Sequence, residues 1–167
     1  MSLYTGNGDT GYSSTIKKSH VPKSDLLFEL LGNLDELNVA LGGCKLVCMG
    51  EMKNFIEELQ RDIMRISGCV AKEVLDDEAY YISRVQFFES IMNKNPLNLS
   101  SFVLPGLSGY DYRFHLARVA TRRAERSMVG FSKNALDISF RILPLISYIN
   151  RLSDLLFTFS VKKPIIL

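Results

Sequence analysis

"SDLLFELLGNLDELNVALGGCKLVC", residues 24–48, decides the class of fold. Leu27, Leu30, Leu31, Leu34, Leu37, Leu41 and Cys44 recur at intervals of three and four, the period that lays one apolar stripe along an α-helix. Ser24 or Asp25 supplies an N-terminal cap. The spacing predicts a helix from there to about Cys48, stopping near Gly50.

Downstream the same texture continues. A second helix is expected from Glu51 to about Val74, with Phe55, Leu59, Ile63, Ile66 and Val70 as its stripe and Lys53, Glu57, Glu58 and Arg61 towards solvent. A shorter third covers about Glu78 to Asn93 and ends at "NKNP". "LNLSSFVLPGLSG" reads as loop, because Pro96, Pro105, Gly106 and Gly109 oppose continuous helix. A fourth helix is expected from Tyr110 to Val129, a turn at "GFSKN", and a last helix from Ala135 to Val161 bent at Pro144. No short β-branched runs alternate with these segments, which argues against a parallel sheet. The expected architecture is all-α: a five-helix, ferritin-like, up-and-down bundle over residues 24–167. Residues 1–23 are polar, glycine-bearing and without apolar period, and read as an N-terminal loop.

With 20 basic and 18 acidic residues the 167-residue chain carries a net charge of only +2. That balance argues against a general nucleic-acid coat, so any anion site must be local. No secretory signal and no membrane-length apolar run is evident, and a cytoplasmic protein without membrane association is expected. Cys44, Cys48 and Cys69 read as reduced, buried thiols. Cys44 and Cys48 lie one turn apart, but no His or third Cys stands near them to complete a metal site.

Charge concentrates in "HLARVATRRAERSMVG", residues 115–130, where Arg118, Arg122, Arg123 and Arg126 face a single carboxylate, Glu125. At about 100° per residue, Arg118, Arg122 and Glu125 share a strip, Arg126 sits to one side and Arg123 points away. Leu116, Ala120 and Ala124 form the opposite, apolar face. Such a helix is either a solvated face of weak ion pairs or one wall of an anion site. The N-terminal "TGNGDTGYSST" favours the second reading. Its glycines free backbone N–H groups for an anion, Thr5, Ser13, Ser14 and Thr15 bring hydroxyls, and Lys17, Lys18 and Lys23 bring charge. The Walker A spacing is absent. Asp9 opposes a phosphate unless it holds a turn or a cation such as Mg²⁺. Asp35 with Asn38, and Asn150 with Ser153 and Asp154, are polar positions on apolar helices. Each needs a partner in the bundle, across an oligomer interface or on a ligand.

Together "YTGNGDTGYSS", "VPKSD…LLGNLDELNVALG", "LQRDIMRIS", "FVLPG", "HLARVATRRAER" and "YINRLSDLLF" resemble, in order and over nearly the whole chain, the PduO-type ATP:cob(I)alamin adenosyltransferases. The resemblance implies a homotrimer with an active site at each subunit interface. It implies transfer of the 5′-deoxyadenosyl group of ATP to cob(I)alamin, giving adenosylcobalamin and triphosphate. Thr5, Gly6, Gly8, Asp9, Gly11, Ser13, Ser14 and Lys23 would hold the triphosphate and Mg²⁺. Arg118, Arg122, Glu125 and Asn150 would complete the ATP site. Asp35 would pair with Arg118 of a neighbouring subunit, and Phe102 would fill the space beneath the corrin ring. A cobalamin reductase or flavin electron donor and an adenosylcobalamin-dependent recipient enzyme are the implied partners.

Three positions depart from the family pattern. Gly6 stands where Arg or Lys is usual, "KKSH" replaces a glycine pair and places His20 where Arg is common, and "LPGL" replaces "LPGG". Lys17 and Lys18 are expected to supply the missing charge. The rival reading these departures raise is a non-catalytic relative that binds ATP or cobalamin for delivery or regulation.

Overall fold

The computed structural model describes residues 4, 6–134, 141–161, 165 and 167. Two short strands, β1 (Tyr12–Ser13) and β2 (Val21–Pro22), precede five helices: α1 (Leu26–Lys45), α2 (Gly50–Lys72), α3 (Glu78–Lys94), α4 (Gly109–Asn134) and α5 (Leu143–Val161). Helices α1 and α4 pack together, α2 lies on the other flank of α1, and α5 joins α4 to α3. Thr5 falls outside the described residues, as does the expected helical stretch over 135–140.

Asp25 is the N-cap of α1, its Oδ1 accepting from the Leu27 N–H at 2.8 Å. The whole expected stripe of α1 is buried except Leu31, which is half-buried. Each fully buried leucine contributes about 1.5–3 kcal/mol, and that set holds α1 between α2 and α4. Gly42 and Gly43 let neighbours cross α1 closely. A Cβ at Gly42 would lie 3.2 Å from Gln60 Nε2, the amide that donates to the Asn38 carbonyl at 3.1 Å.

Three boundaries differ from expectation. Helix α1 ends at Lys45, and Gly50, at φ 56°, opens α2 rather than closing α1. "GFSKN" is helical, the last turn of α4. Met128 and Phe131, three residues apart, are both buried, and that packing outweighs the weak helix preference of Gly130 and Ser132. Pro144 bends nothing: it sits in the first turn of α5, where its missing N–H has no helical partner to lose.

A charged network ties α2, α3 and α5. The buried Asp62 carboxylate accepts from Arg84 Nε at 2.8 Å, the Tyr148 hydroxyl at 2.6 Å and the Tyr80 hydroxyl, and Arg84 Nη2 lies 2.7 Å from it as an ion pair. With three hydrogen bonds and a guanidinium beside it, the carboxylate meets the condition that makes a buried charge tolerable. Cys44, Cys48 and Cys69 are buried thiols outside any disulfide; burial foremost pushes the Cys44 thiol up to about 12, so it stays protonated. Among the described residues no cluster of acidic, His or Cys side chains is arranged to hold a metal ion, and no helix is long and apolar enough to cross a membrane.

Candidate functional site

The amino-terminal arm is a hairpin rather than an open loop. Tyr12 pairs with Pro22 and Ser13 with Val21, antiparallel. Gly6 and Gly11 have φ of 73° and 83°, the left-handed region that glycine enters without strain. The Asp9 N–H donates to the Gly6 carbonyl at 3.1 Å, so a positive φ at position 6 is a structural reason for glycine there. The Lys23 N–H donates to the Gly11 carbonyl at 2.9 Å. That bond brings the Lys23 side chain back over the arm, where a Cβ on Gly8 would lie 2.9 Å from Nζ. A hollow of about 530 Å³ opens there, lined by Asn7, Gly8, Ser13, Ser14 and His20 among others. Lys23 forms no ion pair among the described residues.

The departures acquire physical reasons. His20, at φ 56°, stacks on Tyr12 with ring centroids 4.1 Å apart and planes 5° from parallel. Lys17 and Lys18 do not supply charge to the hollow: both ammonium groups lie on Glu73 at the end of α2, at 3.2 and 2.5 Å. The expectation that they replace missing phosphate ligands is therefore corrected.

The four clustered arginines of α4, Arg118 to Arg126, divide by environment. Arg123 pairs with Glu36 of α1 at 2.8 Å. Arg118 is half-buried, its guanidinium carbon 5.8 Å from the centre of the Phe157 ring and its Nε buried without a partner. Arg122 and Arg126 are exposed and have no carboxylate partner among the described residues. Glu125 accepts from Asn150 Nδ2 of α5 at 2.7 Å, so α4 and α5 present Arg122, Glu125 and Asn150 along their shared seam. The expected apolar face holds at Ala120 and Ala124, but Leu116 is 43% exposed.

Asp35 lies on the other side of the bundle. With Asn38 it lines a hollow of about 340 Å³ between α1 and α2, against Met64 and Ser67. Its carboxylate forms no ion pair or hydrogen bond among the described residues. Ser153 is buried, and Asp154 pairs with Arg151 at 2.8 Å. Phe102, in the loop before α4, has its ring wholly in solvent, and Leu104 and Leu107 beside it are 78% and 84% exposed. Among the described residues, no hydrogen bond or ion pair joins the arm to Arg118, Arg122, Glu125 or Asn150.

Two residues escaped the sequence reading. Asp111 gathers the loop that carries Phe102: its carboxylate accepts from the N–H of Gly106 at 2.7 Å, Leu107 at 3.1 Å and Ser108, and from the Ser108 hydroxyl at 2.7 Å. In return the Asp111 N–H donates to Ser108 Oγ at 3.2 Å. This is a capping box, and its signature, Ser followed three residues later by Asp, stands in "SGYD". The Ser108 hydroxyl foremost, then the loop N–H groups, hold the Asp111 carboxyl down to about 2. His115 is buried with neither ring nitrogen partnered. Burial, then the Arg118 charge one turn on, push its pKa down and keep the imidazole neutral beside that cation.

Known proteins are similar to this chain in sequence and in fold. A family model described as cobalamin adenosyltransferase matches residues 3–163. The corrinoid adenosyltransferase PduO of Citrobacter freundii is 36% identical over 171 residues, covering 96% of this chain and 49% of that protein. The chain thus spans about half the length of the PduO relatives it matches. The corrinoid adenosyltransferase of Mycobacterium tuberculosis is 30% identical over 170 residues, covering 95% of this chain and 86% of that protein. A variant of the PduO-type ATP:corrinoid adenosyltransferase from Lactobacillus reuteri, solved with cobalamin and ATP, superposes with a TM-score of 0.79 at 26% identity. That superposition covers 95% of this chain and 91% of the other. By sequence and by fold, the chain belongs to the cobalamin adenosyltransferase family.

Proposed function

We propose that this chain transfers the 5′-deoxyadenosyl group of ATP to cob(I)alamin, releasing triphosphate. The observation that carries the reading is a pair of cations without carboxylate partners among the described residues: Lys23 over the glycine arm and Arg122 on the α4–α5 seam. Both suit a leaving group that departs with several negative charges. Cobalt(I) supplies the electron pair for the new Co–C bond, and the C5′–O bond breaks with its pair going to triphosphate. No protein base or nucleophile is required. The chain's part is to align C5′ with cobalt and to stabilise the departing charge.

Gly8, Gly11, Ser13, Ser14 and Lys23 hold the phosphates in this reading. Arg122 reaches them from α4, and Glu125 and Asn150 orient the nucleotide beside it. Asp9 is a lone carboxylate on the arm, a donor set that suits Mg²⁺ arriving with the phosphates, since that ion takes one or two carboxylates and keeps its other positions for phosphate and water. Among the described residues no hydrogen bond or ion pair links arm and seam within one chain, and Asp35 and Arg118 lie on opposite sides of it. A homotrimer with sites shared between neighbours reconciles these facts, pairing Asp35 with Arg118 across the interface. The exposed Phe102, Leu104, Leu107 and Leu116 support such an assembly, because one chain leaves that apolar surface uncovered. Phe102 lies beneath the corrin and excludes a lower axial ligand, which eases reduction of cobalt(II) by a reductase or reduced flavin. The product passes to an adenosylcobalamin-dependent enzyme, and the reaction belongs to the cytoplasm.

Incubation with Mg-ATP and chemically reduced cobalamin tests this. Formation of a light-sensitive Co–C bond and free triphosphate is expected. Binding of both molecules without product would instead establish the non-catalytic reading.

A further inference from the structure

Glu73 is badly placed for any purpose confined to its own helix. It caps the C-terminus of α2 at φ 51°, a left-handed conformation that costs a non-glycine residue and that glycine adopts freely. It also sets a negative charge at the negative end of a helix dipole. Its side chain is only 5% exposed, which adds desolvation to those penalties. A residue serving only to stop α2 would be glycine or asparagine.

What the carboxylate does have is two cations. Lys17 Nζ lies 3.2 Å from Oε2 and Lys18 Nζ 2.5 Å from Oε1. They outweigh the burial that works to raise it, and hold the carboxyl below its ordinary value. Both lysines belong to the turn between β1 and β2. There the Thr15 N–H donates to the Lys18 carbonyl at 2.7 Å, and the Lys18 N–H donates to Thr15 Oγ1 at 3.1 Å. That turn directs two consecutive side chains onto one carboxylate. Since β1 and β2 pair only over Tyr12–Pro22 and Ser13–Val21, anchoring the turn anchors the strands that carry Ser13 and lead to Lys23.

We propose that Glu73 is a positioning residue: it latches the amino-terminal arm to the end of α2 through Lys17 and Lys18, so that the phosphate-facing residues stand in place before nucleotide arrives. The effect on ATP rests on the function proposed above; the latch itself does not. Lys17 and Lys18 therefore act on the nucleotide through Glu73 and not by touching phosphate. The lysine side chains are 39% and 48% exposed, so salt screens the latch.

Amide hydrogen exchange on the full-length protein, without nucleotide, reads the latch directly. In Glu73→Gln, exchange over residues 12–22 should accelerate while α1 and α2 keep their protection, and rising salt should do the same to the parent protein. Unchanged exchange in that variant overturns the proposal. Glu73→Gly separates positioning from folding, because it relieves the left-handed strain. Its melting temperature should be equal or higher while the KM for ATP rises, roughly fivefold, with kcat retained. The triple variant Glu73→Gly with Lys17→Ala and Lys18→Ala should bind ATP no worse than Glu73→Gly alone. A further, additive loss would place the lysines on phosphate and refute the latch. If the arm loosens as expected but the parent protein binds no ATP, the function proposed above fails and the latch stands.

Discussion

Gly8→Ala probes the proposed triphosphate site with a single methyl group. The added Cβ would stand 2.9 Å from Lys23 Nζ and 3.3 Å from its Cε. Unbonded atoms settle at about 3.5–4.0 Å, so the ammonium must withdraw by roughly 0.6–1.1 Å. The backbone does not object, since Gly8 is not among the positive-φ glycines. Lys23 breaks no ion pair by moving, so the melting temperature should stay within about 1 °C of the parent. The ligand is another matter. A charge-assisted hydrogen bond contributes about 1.5–3 kcal/mol net and is lost over that displacement. At about 1.4 kcal/mol per decade, the dissociation constant for Mg-ATP should rise roughly 10- to 100-fold. Calorimetric titration without cobalamin measures it. Lys23→Ala should show a comparable loss, and combining the two should add little. If Gly8→Ala binds Mg-ATP as the parent does while Lys23→Ala does not, the ammonium does not act from its seat over Gly8 and the assignment of the hollow is wrong.

Tyr148→Phe removes one donor from buried Asp62 and should cost about 1.5–3 kcal/mol, a fall of roughly 3–12 °C in melting temperature by calorimetry, with ATP affinity untouched. Asp111 is held in the fold at about 2, below the ordinary 3.8. Its stabilisation is therefore complete above that ordinary value and disappears as pH falls towards 2. Acid titration followed by circular dichroism should show Asp111→Asn losing that part of the pH dependence. Phe102→Ala should leave the helical content by circular dichroism unchanged, because the ring is wholly exposed in one chain. It should slow turnover from cob(II)alamin with a reductant far more than turnover from cob(I)alamin; equal slowing would remove the ring from any part in reduction.

Local patterns were enough for the helices. The leucine spacing of α1, the stripe of α2 and the Asp25 cap are properties of a few consecutive residues, and burial of one apolar face enforces them. Boundaries were less legible where a distant partner decides them. Gly130 belongs to α4 because Phe131 and Met128 find cover, and Gly50 opens α2 because α1 has already ended at Lys45. The capping box of "SGYD" is local too, but Pro105 and Gly106 beside it carry an equally local signal for plain loop.

The charged residues mark the division most clearly. From sequence alone, Arg118, Arg122, Arg123 and Arg126 are four cations beside one acid, and Lys17, Lys18 and Lys23 are three cations on one polar arm. A side chain's charge is local, but whether it is already neutralised depends on what other elements bring to it. Glu36 comes from α1 to take Arg123, and Glu73 from the end of α2 to take Lys17 and Lys18. The sequence determined that this chain forms a helical bundle with a glycine-bearing cationic arm. Tertiary packing alone decided that Lys23 and Arg122 have no carboxylate partner among the described residues, because ion pairing acts through space between segments far apart along the chain.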